Sequence, residues 1–131
     1  VTDDHLHVAV DAEPQLVSLV RYTVSTWLSA VRWPAAAAEE LVFAISEALS
    51  NCVEHAYRDL AGGRMTVDIR AVGRPRAMHV VVTDFGRWRP ERPTSGRGNG
   101  LALISAMMAW SRVETDEAGT RVTMCSNPAG D

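Results

Sequence analysis

The chain contains no lysine: all thirteen of its Lys and Arg residues are arginines. That absence excludes chemistries that need an ε-amine, among them a P-loop phosphate cradle, the eukaryotic type of protein-kinase site and a pyridoxal Schiff base. Cysteine is nearly as sparse. Cys52 and Cys125 fall in a helical and a strand pattern among apolar neighbours, which predicts two buried thiols rather than a disulfide and marks no site. Apolar runs such as Val80 to Val82 fall far short of the roughly 20 residues that cross a bilayer, and no signal-peptide pattern opens the chain. Blocks of one charge are also missing, and the net charge is only −3. Nothing therefore advertises a nucleic-acid or membrane surface. These absences together predict a cytoplasmic protein whose partners are found through specific sites.

What is present organises as one domain over residues 1–131, long enough to bury its own core without disulfides or a structural metal. Leu6, Val8 and Val10 alternate with His5, His7 and Ala9, which predicts a strand with the histidines toward solvent. After Pro14, Leu16, Leu19, Val20, Thr23, Val24, Trp27, Leu28 and Val31 follow a helical period. Pro34 opens a second helix that runs to about Tyr57 or Arg58. Met65 to Ala71 and Met78 to Thr83 alternate as two strands joined at Gly73, Arg74 and Pro75. A Gly-, Pro- and Arg-rich loop runs from Phe85 to Asn99. Leu101, Ile104, Met107 and Met108 then predict a short helix, and Ser111 to Thr115 with Thr120 to Cys125 a closing hairpin. The expected architecture is α/β, a mostly antiparallel or mixed sheet with three helices on one face.

Three features carry candidate chemistry. On the second helix, Leu41, Val42, Ile45, Leu49, Cys52, Val53 and Ala56 form an apolar face, with Glu47, Asn51 and Glu54 together on the opposite side. On spacing alone that is a solvated helix face. Asp84 ends an apolar strand, and Gly86 follows where a side chain would keep a flat ligand from the backbone. Gly96, Arg97, Gly98, Asn99 and Gly100 lead into a helix at Leu101, so free backbone N–H groups and the positive helix end face any incoming phosphate.

Taken together and in this order, these features resemble the anti-sigma factor serine kinases, a branch of the Bergerat-fold (GHKL) ATPases. Glu47 to Tyr57 is similar to that family's N box, a glutamate, an asparagine four residues later, then His-Ala-Tyr. Asp84, Phe85 and Gly86 are similar to the start of the G1 box, and Gly96 to Leu101 to the G2 box. The resemblance spans almost the whole chain. It implies a Bergerat two-layer sandwich that binds ATP with Mg²⁺, in which Asn51 ligates the metal through its hard amide oxygen. Asp84 would accept from the adenine amino group, and Glu47 would orient or deprotonate a substrate serine. Gly86 and the run Gly96, Arg97, Gly98, Asn99, Gly100 and Leu101 complete the implied nucleotide contacts. Trp88 stands where the G1 box usually has a second glycine, which puts the ribose side in question. Arg87, Arg89, Arg92 and Arg97 either contact phosphates or keep the lid loop solvated.

The resemblance further implies partner switching: the protein binds a sigma factor, or else phosphorylates a STAS-type anti-anti-sigma factor on serine, working as a homodimer. Two alternatives stand beside this. One is a nucleotide-gated anti-sigma module without phosphoryl transfer, motivated by Trp88; the other is the kinase domain of a multidomain stress regulator, to which the start at Val1 rather than methionine points, although a trimmed terminus gives the same start.

Overall fold

Strand β1, His5–Asp11, opens the chain and places Leu6, Val8 and Val10 on one face, as their alternation dictates. The structure, a computed structural model, describes residues 4–56, 63–86 and 99–129. Pro14 begins α1, Pro14–Ala30, where its missing N–H costs nothing because the first helical turn has no intrahelical acceptor to offer. Val17, Val20, Val24 and Leu28 form its buried stripe at three- and four-residue spacing. Leu19, expected on that stripe, is 51% exposed; Val17 takes the inward place.

The end of α1 is a Schellman motif. Trp33 N–H donates to Leu28 O at 2.9 Å and Arg32 N–H to Ser29 O at 3.0 Å, the crossed pair that satisfies the last carbonyls. Arg32 holds the left-handed conformation, φ 65°, that glycine adopts without steric cost. Trp33 and Leu28, both buried, supply the apolar contact that accompanies the motif. The Arg76 guanidinium lies over the Trp33 ring, 5.6 Å from its centroid, tying this corner to the turn at residues 73–76.

Helix α2 spans Ala35–Asn51, and the chain then widens into a π turn, Cys52–Ala56. Regular α pitch thus ends sooner than the periodicity predicts; Tyr57 and Arg58, where the helix was expected to stop, lie outside the described residues. Strands β2, Arg64–Val72, and β3, Ala77–Asp84, form a hairpin whose turn includes Gly73 at φ 79°. Helix α3, Asn99–Met107, precedes the hairpin of β4, Trp110–Asp116, and β5, Gly119–Cys125.

The five strands lie in the order β1-β2-β3-β5-β4, and every pairing is antiparallel. Met65, Val67 and Ile69 of β2, Met78, Val80 and Val82 of β3, and Val122 and Met124 of β5 point to one face and are almost wholly buried. All three helices cover that face: α2 packs against both α1 and α3 and lies over β3. The result is the two-layer sandwich expected from the sequence. The opposite face is polar and partly exposed, with Asp68 bridging His7 at 2.7 Å and His5 at 3.4 Å. Such exposed pairs contribute little to stability.

The backbone at Arg32 yields a direct test. Arg32→Gly relieves a side chain from the left-handed region, so chemical denaturation should show the variant about 1 kcal/mol more stable than the parent. A variant of lower stability would mean that the Arg32 side chain contributes more than its backbone strain costs.

Candidate nucleotide site

The site grows from the last turns of α2. Ala44, Ala48 and Asn51 follow one another at helical spacing, and the two alanines are fully buried, so small side chains let neighbouring elements approach closely. Asn51 continues that stripe and is only 8% exposed. This corrects the expected grouping on a solvated face: Glu47 is half-buried and Glu54 exposed, but the Asn51 amide lies within the packed layer. Burying an amide is costly unless it has work to do in hydrogen bonding or coordination, so its placement argues against the reading of a mere solvated face.

One residue further on, Cys52 is 1% exposed, and the Asp84 carboxylate lies near enough for its charge to act on the thiol. The end of α2 and the end of β3 therefore meet at one corner. Asp84 is itself 1% exposed, and no apolar environment accepts a carboxylate without donors. Two backbone donors converge on its Oδ1: Gly86 N–H at 3.1 Å, which closes the turn after β3, and Thr120 N–H at 3.3 Å, from across the sheet. The second follows from register, since Asp84 and Thr120 are direct partners in the β3–β5 ladder.

Gly119 makes this approach possible. A Cβ on it would lie 2.0 Å from the Asp84 carbonyl oxygen and 2.8 Å from Phe85 Cα, and its φ of 145° is one that side chains rarely adopt. Backbone from β5 thus runs directly against the chain leaving β3. A cleft bordered by Asp84, Phe85, Gly119 and Thr120 opens beside this corner.

The Cys52 thiol is held protonated. Burial pushes its pKa well above the ordinary thiol value, and the negative charge and hydrogen bond of Asp84 act in the same direction. Cys125 is raised too, by burial. Both cysteines are free thiols, as the sequence suggests, although Cys125 is only half-buried.

Of the residues expected at the site, Asp84 and Gly86 lie at this corner, and Asn51 stands at the end of α2 immediately before Cys52, with Glu47 one helical turn earlier. Asn99 and Gly100 open α3, whose first N–H groups have no intrahelical acceptor, and Leu101 packs half-buried against the core. Gly96, Arg97 and Gly98 lie outside the described residues, as do Arg87, Trp88, Arg89 and Arg92. Three residues at the corner were not anticipated: Cys52, Gly119 and Thr120. The Gly-Thr pair at the start of the last strand was the available signal, but its meaning depends on which strand it faces.

Asn51 is thus buried at the end of α2, and Asp84 is buried and tied by backbone donors at the end of a central antiparallel strand. Residues 10–126 match the model of the family described as histidine kinase-like ATPase domain. The chain is 36% identical to the serine-protein kinase RsbW of Bacillus velezensis and 29% identical to that of Bacillus subtilis, in each case over 92% of this chain and 84% of the relative. Among solved structures it is similar to the RsbU and RsbW domains of a Mycobacterium tuberculosis protein, with a TM-score of 0.78 and 26% identity over 98% of this chain and 34% of that one. The chain belongs to the histidine kinase-like ATPases, in their RsbW-like branch.

Two outcomes follow from this geometry. Gly119→Ala forces a side chain into the Asp84 backbone, and thermal unfolding should show a loss of about 3 kcal/mol or more, or failure to fold. A melting temperature equal to the parent's would contradict the close approach. The second concerns pH. The native thiol of Cys52 keeps its proton where the unfolded one loses it, so its contribution is fully present below about pH 8.5 and declines as pH rises toward the native value. Between pH 8.5 and 10 stability should fall by up to about 1.4 kcal/mol per pH unit for this one thiol. Cys125 contributes with the same sign. Cys52→Ser should flatten the decline; an identical pH profile would show that the thiol titrates alike in both states.

Proposed function

We propose that the chain is an ATP-dependent protein-serine kinase and anti-sigma factor. It binds a sigma factor, and it transfers the γ-phosphoryl group of ATP to a serine of a STAS-type anti-anti-sigma protein. The observation that carries this reading is the buried Asn51 one helical turn after Glu47, at the corner where α2 meets Asp84. RsbW relatives named as serine-protein kinases support it.

Each residue has a role suited to its chemistry. Asn51 offers a neutral, hard oxygen, which suits Mg²⁺: that ion keeps several waters and takes few protein ligands when it arrives with a nucleotide. Its chemistry there is neutralisation of phosphate charge. Asp84, fixed by backbone donors, presents a carboxylate to the exocyclic amine of adenine. Gly86 keeps the base close to the chain. Gly96, Arg97, Gly98, Asn99 and Gly100, leading into Leu101 and α3, receive the phosphates on backbone N–H groups. Glu47 accepts the hydrogen of the substrate serine hydroxyl as its oxygen bonds to the γ-phosphorus and the bond to ADP breaks.

Phosphorylation gives the antagonist about 1.5 to 2 further negative charges at neutral pH, enough to expel it from a close interface and release the kinase to the sigma factor. In this reading the protein acts in the cytoplasm as a homodimer. The described residues contain no helix long and apolar enough to cross a membrane.

The experiment incubates the protein with Mg-ATP and a STAS-type antagonist and reads added phosphate by mass. Glu47→Ala should slow transfer by about 100-fold or more while ATP affinity stays nearly unchanged. Transfer at the parent's rate would remove Glu47 from the chemistry. Asn51→Ala should abolish the Mg²⁺-dependent part of ATP affinity in a calorimetric titration, and equal affinities would place the metal elsewhere.

A further inference from the structure

The face of the sheet away from the helices is not uniform. Register sets His5, Arg70 and His79 side by side on β1, β2 and β3, because His5 pairs with Arg70 and Arg70 with His79. The row continues through Cys125 of β5 to Trp110 of β4, whose ring centroid lies 5.8 Å from that of His79. One row further along, Asp68, Val81 and Thr123 are neighbours in the same way. Alternation puts these side chains on the open face, since the intervening residues Ile69, Val80 and Met124 belong to the core.

Val81 is short where several of its neighbours are long, so the face is hollowed there. The hollow measures about 400 Å³ and is lined by His5, Asp68, Arg70, His79, Val81 and Arg121. Its charges are not matched pair by pair. Asp68, the carboxylate of the lining, is engaged from the β1 side, 2.7 Å from His7 Nδ1. Glu114 Oε1 lies 3.6 Å from Arg112 Nε and 3.8 Å from Arg121 Nη1, so one exposed carboxylate serves two guanidinium groups at long range. Among the described residues, no hydrogen bond or ion pair engages the Arg70 guanidinium. The residues opposite it in register are imidazoles, and an arginine has donors only. An anion above Val81 gives these donors a common acceptor.

We infer that this hollow is a phosphate site, separate from the nucleotide corner, in which Arg70, His79 and Arg121 hold the phosphate group of a small molecule above Val81. A guanidinium presents its donors in a planar fork that matches an oxyanion, and an imidazole adds an N–H in either tautomer. The three side chains come from three different strands, β2, β3 and β5. Donors arriving from several directions suit a tetrahedral phosphate, with oxygens on every side, better than a carboxylate, whose two oxygens share one edge. Asp84 alternates with the core residues Val80 and Val82, so the sheet itself separates the two sites.

The test titrates the protein with inorganic phosphate at constant pH and ionic strength and follows the backbone amides by heteronuclear NMR, with acetate as the carboxylate probe. Saturable shifts should centre on Arg70, His79 and Arg121, and acetate should bind at least about tenfold more weakly. Arg70→Gln, a change at an exposed position, should weaken phosphate binding about tenfold while the rest of the spectrum stays native. Arg121→Gln should act in the same direction. The inference is overturned if phosphate gives no saturable shifts on this face, if the shifts are confined to Asn51, Gly86 and Asn99, or if either variant binds phosphate as the parent does. Acetate binding as tightly as phosphate would overturn the assignment to a phosphate group.

Discussion

A carboxylate buried to 1% exposure is the constraint on which the rest of this structure turns. Asp84 cannot remain in the interior without donors, and every element around it is arranged to supply them. The turn after β3 brings the Gly86 N–H, and β5 enters the sheet beside β3 and brings the Thr120 N–H. Gly119 permits the close passage of β5 because it has no Cβ. In the proposed function, Asp84 is also the group that receives the adenine.

The fold explains how such a costly group is held. Apolar faces of β2, β3 and β5 and the buried stripes of the three helices form one continuous core, and Asp84 lies at its margin. Helix α2 occupies the centre of the helical layer, so the residues at its C-terminal end are positioned by α1 on one side and α3 on the other. Ala44 and Ala48 bring α2 close to its neighbours, and the same stripe carries Asn51 inward. The packing that orders α2 is also what buries Asn51 and Cys52 at its end.

Local patterns made most of the elements legible. Alternation in Leu6, Val8 and Val10, and in Met65, Val67 and Ile69, reports a one-sided strand because successive side chains point to opposite faces. Helical spacing marks the buried stripe of α1, with the exception of Leu19, whose place next to Val20 put it within the range of a pattern that allows either neighbour. The α2 pattern failed at its end, where the chain leaves α pitch for a π turn at Cys52–Ala56. A periodicity of 3.6 residues has no term for that widening.

The sequence by itself determined the order and type of the main elements, and it put Glu47, Asn51, Asp84 and Gly86 at the spacing from which a nucleotide site is proposed. Those are properties of residue type and local period. Only the tertiary structure decided that Asn51 is buried rather than solvated and that Thr120 donates to a carboxylate 36 residues before it. The physical reason is that these contacts depend on which strands are neighbours and in what register. The placement of β5 beside β3, with β4 outside it, is fixed by burial summed over the whole sheet, and no window of local sequence contains it.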